Sequence, residues 1–491
     1  MHKIDLMPPI IRGQEVTFQW NVEPQTKLYK QAQFTIQFPS FVDLTKVPER
    51  LWWDLLIMCL HPHWLLLRPC EIHLPLKLGN SVKQFWLQML QNGADTLDFY
   101  GPPKNIAPLG ITIVDGNLDV PYAAVVGSGY GTAFSGGKDS LLQAALLFEL
   151  TERPLLVATT SPMPPLADHT TDRRRRVFES IQKRRDPVFV ESVSDFRNAW
   201  DNSFAGELGF RVAVNELTDT FLYTACLLAA GAALGFTHLF VASETELQET
   251  ALIDGKIVQH SHFMYSAATQ RALAQLFAPY CLSFGSLTWP LHTMQVQQLL
   301  WRRYPDLCDL QYSCWRVGES EETCSQCEQC LRIATTALEM GADPQRMGVD
   351  LRKLAKFANT WEPTTSRFSS YCLPQDDAAD LLGARVVQAI RNTSLVHVGR
   401  IVARQRNGKF APFSALKTVW RFYRLSRRFR RSPKPPRMGV REGFSDWLDE
   451  DLRDALMAIY KSYFPVEPKQ EHRSTCERSF ALTERAVSPL N

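Results

Sequence analysis

The chain has 491 residues, 45% hydrophobic and 21% charged, with 25 Gly and 30 Pro, a profile that excludes fibrous and intrinsically disordered classes. That length allows two to four domains, each able to bury its own core. The net charge of +3 argues against a chain that is basic throughout, but it is unevenly spread: residues 400–441 contain fourteen Lys or Arg and no Asp or Glu, which leaves the rest at −11.

Elements follow in chain order. Val16–Trp20 and Phe34–Phe38 alternate apolar and polar residues, as a half-buried antiparallel pair does. Leu51–Leu60 reads as a core helix, Cys70–Pro75 as a strand and Ser81–Asn92 as an amphipathic helix. Residues 1–125 are therefore expected to form an α+β N-terminal domain. From Val125 the text turns to alternating strand and helix, the grammar of a parallel α/β sheet. Strands are predicted at Gly131–Phe134, Leu155–Thr159, Val188–Glu191 and His238–Ala242, and helices at Leu141–Leu150 and Glu216–Leu234. The apolar run Phe221–Phe236 is too short for a membrane span and reads as a buried helix. Residues 126–345 form the predicted α/β domain and 346–465 a helical, basic C-terminal region. Residues 466–491 read as a disordered tail.

Ser135-Gly-Gly-Lys-Asp-Ser140 lies between a predicted strand and a predicted helix. Paired glycines let backbone N–H groups approach an anion, and the following helix N-terminus adds donors and a positive dipole end. The serines can donate hydroxyls, Lys138 can supply charge and Asp139 can hold Mg²⁺ against phosphate oxygens. The spacing is not that of a Walker A loop. The hexapeptide resembles the pyrophosphate loop of the PP-loop superfamily, the N-type ATP pyrophosphatases. That resemblance implies cleavage of ATP between its α- and β-phosphates and transfer of AMP to an oxygen of the substrate. It assigns ATP contacts to Ser135, Gly136, Gly137, Lys138, Asp139, Ser140 and Thr159, with Lys138 and Asp139 catalytic. Thr160 and Ser161 follow Thr159 where such proteins place the adenine and ribose.

Cys314, Cys324, Cys327 and Cys330 have the spacing of a tetrahedral Zn²⁺ site, a loop ligand followed by a tight knuckle. A bacterial iron–sulfur run would need a different fourth cysteine. Cys308 is a possible substitute ligand. Eleven cysteines with no leader-like N-terminus point to a reducing cytoplasm. Loop and knuckle together resemble the 7-cyano-7-deazaguanine synthases (QueC-like), over roughly Val125–Gly341. The resemblance implies ATP-dependent activation of a carboxylate, amidation by a nitrogen nucleophile and a structural zinc. The additional N- and C-terminal regions bring the architecture nearer to the longer QueC-like proteins of Qat and CBASS anti-phage systems. A MurL-like epimerase acting on a glutamyl carboxylate, a tRNA-modifying PP-loop enzyme and a non-catalytic nucleotide-binding subunit are the alternatives.

Glu244 and Glu246 follow a strand where open α/β sheets bind ligands, and Glu244 is a candidate contact to substrate or Mg²⁺. His260, His262 and Tyr265 could orient substrate or move protons. Arg173–Arg176 and Lys183–Arg185 read as a solvated helix face, with contact to an acidic substrate as the alternative. Trp420–Arg431 interleaves basic and aromatic residues, a pattern that suits the stretch Arg421–Arg437 to nucleic acid or to an acidic partner protein. The same periodicity would also let Phe422, Leu425 and Phe429 rest on the protein's own core.

Overall fold

A computed structural model describes residues 1–101, 110–161, 166–210, 212–248, 250–253, 255–260, 262–314, 323–361, 381–403, 412–429, 439–441 and 448–467. The N-terminal elements are β1 (His2–Leu6), β2 (Ile10–Arg12), β3 (Glu15–Glu23), β4 (Gln33–Gln37), α1 (Glu49–Leu67), β5 (Cys70–Leu76), α2 (Asn80–Tyr100) and β6 (Ile111–Leu118). Next come β7 (Gly129–Ala133), α3 (Lys138–Leu150), β8 (Leu155–Thr160), α4 (Leu166–Arg185), β9 (Val188–Ser194), α5 (Phe204–Glu207), α6 (Val214–Leu234) and β10 (Phe236–Phe240). The chain continues through α7 (Thr245–Gln248), β11 (Thr250–Ile253), β12 (Lys256–Gln259), α8 (Ala267–Phe277), β13 (Ser283–Gly285), α9 (Thr293–Arg303), α10 (Glu328–Glu339) and α11 (Leu351–Thr360). Helices Leu381–Asn392, Leu395–Ala403, Pro412–Arg428 and Glu450–Tyr463 complete the described chain.

Eleven strands form one sheet in the order β13-β10-β7-β8-β9-β4-β3-β1-β5-β6, with β2 added to β3. The five strands from β13 to β9 are mutually parallel. Counted along the chain, β9-β8-β7-β10-β13 have the order 3-2-1-4-5. The order reverses between β7 and β10, and a crevice opens at the carboxyl ends of the strands on either side of such a reversal. β4 joins this half to the N-terminal half by antiparallel pairing with β9. The sequence boundary near residue 125 thus falls inside a continuous sheet.

The predicted hairpin is present as β3 and β4, paired from Glu15–Gln37 to Gln19–Gln33. Val16, Phe18, Trp20 and Val22 are buried on alternate positions of β3, the pattern of a strand with one covered face. The strand predicted at His238–Ala242 begins two residues earlier. Gly235, with φ of +78°, ends α6 in a left-handed cap, and Phe236 then starts β10 directly. α6 has the length and composition of a membrane span, but 83% of its apolar window is buried, as in a core helix.

One hydrophobic cluster crosses both halves, uniting Trp20, Trp52 and Leu56 with Leu155, Phe221 and Leu227. Within it Tyr280 donates to buried Asp54 at 2.6 Å, and Arg50 donates to the Lys77 carbonyl at 3.1 Å. A separate cluster joins Cys314, Cys330 and Leu331 to Leu354, Ile390, Phe422, Leu425 and Phe429. Helix Glu450–Tyr463 returns to the parallel half, where the Tyr460 hydroxyl donates to the Leu287 carbonyl at 2.7 Å. Val466–Glu467, assigned from sequence to the tail, pair in parallel with Val440–Arg441 because the returning helix brings them alongside. Residues 468–491 lie outside the described residues.

Candidate functional site

β7 ends at Ala133, and the next four residues form the turn into α3, whose first residue is Lys138 and whose N-cap is Gly137. Gly136 takes φ of +79°, a conformation that L side chains rarely adopt. The turn is held by its own hydroxyls. Gly137 N–H donates to Ser135 Oγ at 3.3 Å, Ser135 N–H donates to Ser140 Oγ at 3.3 Å, and the two Oγ atoms lie 3.1 Å apart. Gln143 locks the turn to neighbouring strands, donating to Thr132 Oγ1 at 2.7 Å and accepting from Leu287 N–H at 2.8 Å.

Across the crevice, Ser243-Glu244-Thr245 follows β10. Ser243 N–H donates to Ser286 Oγ at 2.9 Å, and Thr245 Oγ1 donates to the Trp289 carbonyl at 2.9 Å. Glu244 is therefore fixed on both sides by the segment after β13. Its Oε1 accepts from Lys138 Nζ at 3.2 Å and from Thr293 Oγ1 at 2.9 Å, while Lys138 Nζ also donates to Asp139 Oδ1. The result is one nearly buried cation between two carboxylates at the reversal of strand order.

The electrostatics are those of a crowded, partly dry site. Burial works against the Lys138 charge, but Asp139 and Glu244 outweigh it and the lysine pKa is raised. Burial, then Glu244, pushes the Asp139 carboxyl up to about 8, with Lys138 only partly offsetting them. Tyr265, raised by burial, feels Asp139 and Glu244. His260, brought down to about 4 by burial, feels Glu244. Two carboxyl groups facing one lysine gather several oxygens in one place, a donor set of the kind that hard divalent ions such as Mg²⁺ take.

The structure brings Ser135, Gly136, Gly137, Lys138, Asp139, Ser140 and Glu244 together. Thr159 is the penultimate residue of the adjacent β8, with Oγ1 3.0 Å from Ser192 Oγ, and its carbonyl accepts from Arg174 at 3.4 Å. His262 lies farther out: its Nδ1 is 3.0 Å from the Glu216 carbonyl, and its ring stacks on His260. The Glu246 and Arg173 side chains lie outside the described residues. The solvated face expected of the α4 arginines does not hold for Arg174, which burial affects strongly.

The cysteine group forms as expected. The Sγ atoms of Cys314, Cys324, Cys327 and Cys330 all lie within 4.8 Å of one another. Cys324 and Cys330 are 3.8 Å apart and Cys327 and Cys330 3.4 Å apart, close to the edge of about 3.8 Å in a tetrahedron with Zn–S bonds of about 2.3 Å. Ser325, at φ of +54°, turns the knuckle, and Cys327 caps α10 by accepting from Cys330 N–H at 3.5 Å. Cys308 stays apart, with its thiol turned to the Pro305 carbonyl at 3.3 Å.

Sequence reading missed the connection between the two features. Tyr312 N–H donates to the Gly136 carbonyl at 2.7 Å, Lys138 N–H donates to Ser313 Oγ at 3.0 Å, and the next residue is Cys314. Adjacency to the first cysteine is the only signal that Ser313 carries in the sequence. In the basic segment, Phe422, Leu425 and Phe429 are buried, whereas Leu416, Trp420 and Tyr423 are exposed. Arg424 lies over the Trp420 ring at 4.8 Å. Residues 430–437 lie outside the described residues.

Comparison with protein-family models, curated proteins and solved structures gave no match.

Proposed function

We propose that the chain is an ATP-dependent, AMP- and pyrophosphate-forming enzyme of the PP-loop type that adenylates a carboxylate for attack by a nitrogen nucleophile. The observation that carries this reading is Lys138 held between Asp139 and Glu244 beside a glycine turn, at the point where the parallel sheet reverses its strand order. Ser135, Gly136, Gly137 and Ser140 cradle the pyrophosphate portion of ATP, and Lys138 supplies positive charge to it. Asp139 and Glu244 are the residues that would hold Mg²⁺, which when bound offsets phosphate charge. The four cysteines hold a structural Zn²⁺. The substrate acid is of the deazaguanine type, with 7-carboxy-7-deazaguanine as the first candidate. The exposed face of helix Pro412–Arg428 is the docking surface for a partner within an anti-phage system.

The test is product identity. Incubation with ATP, Mg²⁺ and 7-carboxy-7-deazaguanine is expected to release AMP and pyrophosphate. Release of ADP and phosphate instead would remove the adenylation reading. ATP binding with no turnover over a panel of acids would favour a nucleotide-holding subunit.

A further inference from the structure

Arg174 is the one conspicuous charge near the loop that the proposed chemistry leaves unused. It lies on α4, and its Nη2 donates to the Thr159 carbonyl at 3.4 Å, so the guanidinium overlooks the carboxyl end of β8. Val177, one turn further along α4, packs against the phosphate turn: a Cβ placed on Gly136 would lie 3.3 Å from its Cγ1. Arg174 is thus adjacent to the loop, on the side away from Glu244.

Its surroundings do not balance its charge. Among the described residues no carboxylate lies within ion-pair distance of Arg174, and its Nε is buried with no hydrogen-bond acceptor. The Phe178 ring lies 5.7 Å away. The charged and titratable groups around it are Tyr223, Arg197, Tyr312 and Glu191. Arg197 has the same sign and is already engaged by Asp219 and by the Tyr223 hydroxyl at 2.8 Å. Ser161, two residues beyond the Thr159 carbonyl, has a buried Oγ that also lacks a partner among the described residues. A guanidinium stays charged in a protein, and a desolvated charge with a bare N–H is costly unless something pairs with it. Its planar fork of donors matches a carboxylate or a phosphate.

We propose that Arg174 anchors a second oxyanion site, separate from the Lys138 loop, which takes a carboxylate or phosphate group of the ligand over the carboxyl end of β8. The site rests on the adenylation reading for its two sources, the α-phosphate of the nucleotide and the carboxylate of the acid.

Calorimetric titration of the full chain with AMP, with 7-carboxy-7-deazaguanine and with inorganic phosphate tests it. Arg174→Met is expected to weaken at least one of these ligands tenfold or more, and Arg174→Lys to restore part of the loss. Loss confined to AMP and phosphate assigns the α-phosphate, and loss confined to the acid assigns the carboxylate. The ligand-free Arg174→Met protein is expected to melt at the wild-type temperature or above it, because a half-buried charge with no carboxylate partner among the described residues has been removed. Affinities within twofold of wild type, with or without a lower melting temperature, overturn the proposal, as does a wild-type protein that binds none of the three. A parallel titration of Lys138→Met with ATP reports on the loop separately: unchanged ATP affinity there removes the loop reading and leaves the Arg174 result interpretable.

Discussion

The two halves of the sheet bury polar groups in different settings. In the N-terminal half His61 and His63 sit at 0% exposure on α1, and burial brings them down to about 4 and about 3. They are neutral at physiological pH, and among the described residues neither His63 ring nitrogen has a hydrogen-bond partner. In the parallel half Lys138, Asp139 and Glu244, and likewise Arg197 and Asp219, are gathered into ion-paired groups. The first half keeps its buried histidines uncharged, and its buried ion pair Arg50–Asp54, at 3.9 Å, is tied down by the Lys77 carbonyl and the Tyr280 hydroxyl. The second maintains charge in a low-dielectric place, an arrangement that costs stability and is characteristic of sites that act on charged ligands. Neither buried polarity nor a buried ion pair as such therefore marks the site; an ion-paired group beside a glycine turn at the reversal of strand order does.

The largest effect is expected at the cysteine knuckle, where four clustered thiols could hold a metal. The purified chain should contain one zinc, and chelation or Cys327→Ser should remove on the order of 10 kcal/mol of support, melting α10 and the helices packed on it. Metal analysis with circular dichroism checks this; a metal-free protein with an unchanged melting curve would show the cluster to be a simple core. Next in size, Lys138→Met should reduce ATP turnover about 10²- to 10³-fold, roughly 3–4 kcal/mol, with the helical signal retained. Unaltered turnover would mean that buried charge in the parallel half is structural too.

A third expectation concerns acid. A histidine whose folded pKa lies below its unfolded value of about 6.5 gains its proton only on unfolding, so stability falls as pH drops below about 6.5 and levels off near the folded pKa. His61 and His63 should each contribute on the order of 3 kcal/mol to that fall between about pH 6.5 and 4. Denaturant melts of His63→Phe should show a shallower acid limb, and an unchanged limb would locate the proton uptake elsewhere. The smallest effect is at the turn: Gly136→Ala should cost about 1 kcal/mol, seen as a lowered melting temperature, since the φ of +79° is unfavourable to a side chain.

Much of the parallel half was legible in the sequence because its cues are local. Short apolar strands, the Ser135–Ser140 turn and the closely spaced thiols each occupy a few consecutive residues. Strand order was not legible: that β10 lies beside β7 and β4 beside β9 depends on pairings far apart in sequence. Glu244 could be singled out from its place after a strand. Its pairing with Lys138 and Thr293 could not, because 106 and 49 residues separate the partners. Arg174 was hidden among four consecutive arginines, where composition suggests solvent and only the packing of α4 separates one from the rest.

The tripeptide Tyr312-Ser313-Cys314 gives the molecule a shared support. Two of its residues hydrogen-bond the glycine turn and the start of α3, and the third belongs to the thiol group, so a displacement at the sulfurs reaches the loop through one peptide unit. Perturbations at the two places should consequently not be additive. In a double-mutant cycle of Cys327→Ser with Ser313→Ala, the combined loss of ATP affinity should fall short of the sum of the single losses, because the first change has already released the segment that the second would loosen.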